Sequence, residues 1–237
     1  MTRNENKFEY KVIDKTKETK DVVTLKLQHT DNTKISFISG QFITVFFPEN
    51  GTPEGKAYSI SNTSNEDTIN ITVKAMGDFS NKLCKMEIGN TVIASTPYGF
   101  FYSENEDTSL VFLAIGIGIT PFKSMITQAL QNNPNREIFL FYGNKTIDDI
   151  IFKKEFDELI SKHKNFHIKY FISREENLKG DFEKGRININ RALELTKQVS
   201  FQTEFLICGS ISFVKETWNN LRKLNIPEDM IYTEAFF

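Results

Sequence analysis

A chain of 237 residues is long enough for one large domain or two modest ones, each with its own core. Its formal net charge of -2 gives no electrostatic reason to expect nucleic acid or an anionic membrane as partner. Two cysteines, Cys84 and Cys208, make a disulfide framework unexpected and exclude a four-thiolate iron–sulfur cluster carried by the chain itself. The 22 Phe against a single Trp predict Phe-rich cores. The polar start Met1–Lys7 has none of the apolar character of a signal peptide. The longest apolar run, Leu110 to Ile119, is too short to cross a bilayer. The expectation is a soluble, cytoplasmic protein with no membrane span. His29, His163 and His167 fall in no metal-like cluster, so no metal site is expected.

The first hundred residues alternate with the period of two that marks half-buried strands. Phe8, Tyr10 and Val12 alternate with charged residues, and so do Val23, Leu25 and Leu27, then Ile69, Ile71 and Val73. Turn clusters at Asp31–Thr33, Pro48–Gly51 and Asn62–Asn65 separate these runs, and a short helical turn fits Ser80 to Met86. Short strands with regular turns predict an antiparallel barrel or a sandwich.

From residue 110 the pattern changes. Leu110–Ala114 is a continuous apolar run, as expected of a strand buried on both faces. A glycine-bearing turn follows, and Thr120-Pro121 reads as an N-cap opening a helix to about Leu130. Strands are expected at Glu137–Tyr142, His167–Ile172 and Glu204–Cys208, with helices near Phe152–Lys162 and Phe213–Leu224. Alternating strands and helices imply a parallel α/β sheet. The polar stretch Ser103–Asp107 serves as linker, giving domains over 1–104 and 105–237.

Several segments carry residue types suited to chemistry. Lys56-Ala57-Tyr58-Ser59 puts a cation, an aromatic and a hydroxyl on one strand, which taken alone is equally an edge strand with a packed tyrosine. In Lys74-Ala75-Met76-Gly77-Asp78-Phe79-Ser80, a glycine and a hydroxyl at a helix start can present backbone N–H groups to an anion, or simply cap a turn. In Gly116-Ile117-Gly118-Ile119-Thr120-Pro121, a glycine-rich turn between a buried strand and a helix lets backbone approach a pyrophosphate. Ser173-Arg174, with Arg186 downstream, supplies a hydroxyl and guanidinium groups suited to phosphate, although loop arginines are commonly solvated. Cys208 alone reads as a small buried hydrophobe.

Taken together and in this order, these segments resemble the ferredoxin–NADP reductase family from about residue 8 onward. Lys56-x-Tyr58-Ser59 is similar to its Arg-x-Tyr-Ser/Thr motif, with lysine where the family has arginine. Lys74-x-x-Gly77-x-x-Ser80 is similar to its second flavin motif, and Thr96-Pro97-Tyr98-Gly99-Phe100-Phe101 to the segment that closes its barrel. Gly116, Gly118, Thr120 and Pro121 match its nicotinamide-side turn. Cys208-Gly209-Ser210 and Glu234-x-Phe236 match its Cys-Gly-Ser/Pro turn and its acid-x-Phe ending.

The resemblance implies an N-terminal flavin-binding antiparallel β-barrel followed by an α/β parallel-sheet NAD(P)-binding domain. It places Tyr58 and Ser59 on the flavin ring, Lys56 on flavin phosphate, and Lys74, Gly77 and Ser80 around the pyrophosphate. Ser173, Arg174 and Arg186 would meet the 2′-phosphate of NADPH, preferred over NADH. Cys208, Gly209, Glu234 and Phe236 would lie at the nicotinamide and flavin rings, with Phe237 as a ring cover. Ser59, Cys208 and Glu234 are the residues implied to assist hydride transfer by positioning and tuning. FAD is implied, with FMN as the alternative. The implied electron acceptor is a ferredoxin, a flavodoxin or another redox protein. A free-flavin reductase, the reductase component of a multicomponent oxygenase, and a redox-inactive nucleotide-binding module are the other readings.

Overall fold

The structure is a computed structural model and describes residues 7–47, 54–196 and 202–236. The expected turn at Pro48–Gly51 and the terminal Phe237 lie outside the described residues.

The alternating residues of the first half close a barrel. Strands β1 (Lys7–Lys17), β2 (Val22–His29), β3 (Phe42–Phe46), β4 (Lys56–Ser59), β5 (Ile69–Lys74) and β6 (Thr91–Ser95) form an antiparallel sheet ordered β4-β3-β6-β1-β2-β5. Its outer strands meet through a bridge between Ile60 and Ile71, and the Ser61 N–H donates to Asn70 O at 2.9 Å. Tyr10, Val12, Leu25, Leu27, Ile69, Ile71 and Val73 all turn inward and are buried together. Helix α1 (Asp78–Cys84) covers one end and sinks Leu83 into that core.

The second half is a parallel sheet with helices on both faces. In chain order it comprises β7 (Ser109–Ile115), α2 (Thr120–Asn132), β8 (Ile138–Asn144), α3 (Lys153–Lys162), β9 (Phe166–Ile172) and β10 (Phe182–Lys184). These are followed by α4 (Ile189–Leu195), β11 (Thr203–Ser210), α5 (Ile211–Lys223) and β12 (Ile231–Phe236). The sheet order is β10-β9-β8-β7-β11-β12, every neighbouring pair parallel. The unbroken apolar run of β7 follows from that central place. Leu110, Phe112 and Ala114 enter one core, while Val111 and Leu113 enter the core on the opposite face. From β7 the chain winds outward to β10, then crosses to β11 on the other side. The crevice between the carboxyl ends of β7 and β11 is therefore the topological switch point, where open α/β sheets bind ligands.

Two sequence expectations are corrected. Thr120 is not an N-cap, because a 3-10 turn over Gly116–Ile119 runs straight into α2 and leaves Thr120 in helical conformation. Its hydroxyl donates to Ile117 O at 3.0 Å instead of accepting from a helix N–H. Cys208-Gly209-Ser210 is not a turn but the last stretch of β11, with Ser210 then capping α5 by accepting from Phe213 N–H.

The two halves share a core. Val22 of the barrel and Phe101 at its end belong to the same buried cluster as Phe112 and Phe122. The connecting stretch is held by Arg136, a buried guanidinium. Its Nε donates to Thr108 O at 2.7 Å, and its Nη2 donates to Asn105 O at 2.5 Å and to the Ser103 hydroxyl at 3.1 Å. Among the described residues, no helix is long and apolar enough to cross a membrane.

Candidate functional site

At the switch point β7 gives way to Gly116, whose φ of +51° lies in the left-handed region and where an added Cβ would meet nothing within 4 Å. The Tyr142 hydroxyl, buried under this turn, donates to Gly116 O at 2.9 Å and fixes the backbone there. Gly118 answers a different need. A Cβ at this position would sit 2.4 Å from Cys208 O and 2.8 Å from Gly209 N, so only glycine lets the turn lie against the end of β11.

The β11–β12 register sets Cys208 opposite Glu234, Gly209 opposite Ala235 and Ser210 opposite Phe236. Cys208 is fully buried, and desolvation, with the nearby Glu234 carboxyl adding to it, pushes its thiol well above the ordinary value. Burial thus favours the neutral thiol there. Burial pushes Glu234 up to about 7, and its Oε2 is a buried oxygen with no hydrogen-bond partner.

That shift has a sign that can be checked. The folded chain holds the Glu234 proton more tightly than the unfolded chain does. Stability therefore falls as pH rises from the ordinary carboxyl value of 4.5 to about 7, and levels off above. Glu234→Gln is expected to remove this component, gaining on the wild type in urea midpoint as pH goes from about 5 to 8. A parallel run of the two midpoints across that range would contradict the assignment.

A cleft of about 590 Å³ opens above these strands, within the range of small-molecule sites. Gly116, Ser173, Arg174, Arg186, Gly209 and Phe236 line it from the α/β half, and Lys74 from the barrel. Ser173 is held at the rim by donating both its N–H, at 3.0 Å, and its hydroxyl, at 3.2 Å, to Asn144 O. The Arg174 N–H donates to Lys145 O at 2.8 Å. Lys145, Arg174 and Arg186 form no ion pair with a described residue. Two neighbouring acids are occupied. Glu175 accepts from Ile147 N–H at 2.6 Å, and Asp149 accepts from the Thr146 N–H and hydroxyl. The barrel wall is the β1–β2 hairpin with Thr19, Asp21 and Val22, plus Lys74 paired to Asp21 at 3.3 Å.

The remaining predicted residues sit elsewhere. Lys56 is exposed at the start of β4. Tyr58 is half-buried with its ring stacked 6.4 Å from Phe79, and burial raises its phenol above the usual range. Ser59 is buried, and its Oγ lacks any hydrogen-bond partner. Gly77 caps α1, and the Ser80 hydroxyl accepts from Met76 N–H at 2.9 Å and Gly77 N–H at 3.1 Å. Those two N–H groups are thus satisfied within the turn. Gly118, Thr120, Pro121 and Cys208 are buried and Glu234 is half-buried, and none of the five is among the residues that line the cleft. Sequence reasoning missed Lys145, which a cation just past a strand end could have signalled. It also missed the hairpin wall, which only tertiary packing brings in.

The partnerless buried oxygens of Ser59 and Glu234, the open Gly116 turn and the cationic rim are consistent with a flavin and a nicotinamide nucleotide. Comparison with known proteins agrees. A family model described as oxidoreductase FAD-binding domain matches residues 9–102, and one described as oxidoreductase NAD-binding domain matches residues 112–218. The chain is similar to a flavohemoprotein of Oceanobacillus iheyensis, 30% identical over 96% of this chain and 58% of that protein. It is also similar to NADH-cytochrome b5 reductase 1 of Candida glabrata, 26% identical over 92% of this chain and 80% of that protein. Thus the chain spans 58% and 59% of two flavohemoproteins that it matches. In fold it resembles a ferredoxin NADP+ reductase from Neisseria gonorrhoeae with bound FAD and NADP, at TM-score 0.82 and 23% identity. That likeness covers 98% of this chain and 99% of the other. The FAD/NAD-binding domain of a nitric oxide dioxygenase from Vibrio cholerae is similar at TM-score 0.85 and 22% identity, covering 97% and 98%.

Proposed function

The chain belongs to the flavin-dependent oxidoreductases of the ferredoxin–NADP reductase type, and on that premise we propose that it takes hydride from NADPH and passes electrons to a separate redox protein. A ferredoxin or flavodoxin is the carrier this reading favours. Residues 1–104 hold FAD and residues 105–237 hold the nicotinamide nucleotide. FAD, when bound, supplies the two-electron acceptor that can release electrons singly.

The rest falls to the chain. Tyr58 offers a flat ring face, Ser59 a buried hydroxyl, and Lys56, Lys74, Gly77 and Ser80 serve the flavin phosphates. Gly116, Gly118, Thr120 and Pro121 shape the turn that carries the nucleotide. Cys208 packs as a neutral thiol, and Glu234, near half-protonated at neutral pH, can keep a proton beside it. Gly209 and Phe236 complete the nicotinamide end. The cleft lies between the two halves, so orientation and exclusion of water come from closing them together.

The observation that carries the choice of NADPH is the cleft rim. Ser173, Arg174, Arg186 and Lys145 face it, and of the acids that line it Asp21 is paired to Lys74 and Asp149 to Thr146, leaving Glu216 of α5. The test is the visible spectrum of the purified protein, followed by anaerobic titration with NADPH and NADH. A flavin band that bleaches preferentially with NADPH is expected. A charged hydrogen bond is worth about 1.5–3 kcal/mol, so Arg174→Ala should raise KM for NADPH by roughly 10- to 150-fold. KM for NADH should change far less, and an equal loss for both would remove the 2′-phosphate assignment.

A further inference from the structure

The nucleotide cleft has a neighbour. A second cavity, of about 500 Å³, opens between α4 and α5. Arg186, Ile187, Ile189, Glu216 and Asn220 line both cavities and so form the sill between them. Helical spacing explains the α5 side of that sill. Ser212, Glu216 and Asn220, each four residues from the next, share one face of the helix, and all three line the cleft. Lys223, three residues further on, lines the second cavity alone.

The sill carries opposite charges that do not meet. Arg186 and the exposed Glu216 form no ion pair with each other or with any other described residue, and neither does Arg174 at the rim. The other acids on the cleft are engaged, Asp21 by Lys74 at 3.3 Å and Asp149 by the Thr146 hydroxyl at 2.8 Å. A free carboxylate lining the same cleft as free guanidinium groups suits a ligand group that lies between them. Such a group must accept from arginine and donate to Glu216. A ribose hydroxyl does both. A phosphate only accepts, and it brings like charge towards the carboxylate.

We infer that Glu216 sets the choice of nucleotide. It accepts from the adenosine ribose 2′-hydroxyl of NADH and repels the 2′-phosphate of NADPH, and so limits the preference that Arg174 and Arg186 create. Discrimination is a difference between two affinities, and a repulsive group shapes it as an attractive one does. The inference rests on reading the cleft as the nicotinamide-nucleotide site.

The test is calorimetry on the purified protein with its flavin, using ADP-ribose and 2′-phospho-ADP-ribose, two probes that differ only at the 2′ position. Glu216→Gln should weaken ADP-ribose by about fivefold, because a neutral acceptor bonds a hydroxyl less strongly than a carboxylate does. The same variant should tighten 2′-phospho-ADP-ribose by about threefold, the size expected for removing one exposed like charge. Glu216→Asp keeps the charge but withdraws it by one methylene. It should weaken ADP-ribose by about fivefold and leave the phosphorylated probe within about twofold of wild type. Lys215→Gln changes the charge of the neighbouring exposed residue and should leave the ratio of the two affinities as it is. Equal changes for both probes in Glu216→Gln, or a ratio within about twofold of wild type, would overturn the role of Glu216. Should Glu216→Gln not fold, Glu216→Asp decides by the same criteria. A wild type that binds neither probe would defeat the nucleotide reading itself, and the inference with it.

Discussion

Gly118→Ala is expected to cost the protein most of its nicotinamide-driven flavin reduction. The added methyl would lie 2.4 Å from Cys208 O and 2.6 Å from Cys208 C, and both atoms are backbone. Neither can swing aside. The end of β11 is fixed between β7 and β12 by the register that pairs Cys208 with Ala114 and with Glu234. The 3-10 turn over Gly116–Ile119 must therefore move away, taking with it the surface proposed to carry the nucleotide. Overpacking of this kind costs about 1–3 kcal/mol, or roughly 2–10 °C in Tm for a chain of this size. Displacing reacting groups by about 1 Å can cost about 100-fold in rate. Rapid-mixing reduction by NADPH should thus fall far more than stability does. A variant reducing its flavin within about twofold of wild type would show that the turn relaxes freely and that close approach is not its purpose.

Arg136→Ala should do the reverse, damaging stability and sparing the site. One planar fork gathers Thr108 O, Asn105 O and the hydroxyls of Ser103 and Thr108, in a residue only 8% exposed. Removing it takes the Nε donor from Thr108 O, while Asn105 O keeps the hydroxyls of Ser103 and Thr108. A loss of about 1–3 kcal/mol is expected for the buried group left unsatisfied, measured as a lowered urea midpoint. Arg136→Lys should recover little, because a single ammonium cannot span the same fork. Arg136 precedes β8 and so lies at the amino ends of the parallel strands, away from the cleft. NADP+ affinity of the folded variant should stay within about twofold of wild type. A comparable loss of affinity would place the linker in the functional machinery.

Much of this architecture was legible because its physics is local. Alternation in Leu25–Leu27 and Ile69–Val73 is the direct imprint of a one-sided barrel wall, and the apolar run of β7 the imprint of two buried faces. The order of weak motifs along the chain then supplied the family. What stayed hidden depends on distant partners. β10, only three residues long, is a strand because it lies beside β9, and β12 becomes one because β11 offers it an edge. The hydroxyls of Thr24 and Thr72, 2.9 Å apart, are unremarkable in sequence and meet only once β2 and β5 pair. Nothing in the sequence separates Arg136 from a solvated loop arginine. Its burial is decided by the linker that wraps it.

The strand orders also dictate how late in its own synthesis the protein can fold. β1 pairs with β6, so the barrel cannot close until the ribosome has delivered residue 95. β7 then waits longer. Its neighbour β8 arrives within about thirty residues, but β11, which covers its other edge, begins only at Thr203. Through that interval a strand as apolar as Leu110–Ala114 presents an unpaired edge, the template on which nascent chains aggregate. That exposure is a consequence of the same crossover that creates the switch point, and slower elongation before Thr203 would prolong it.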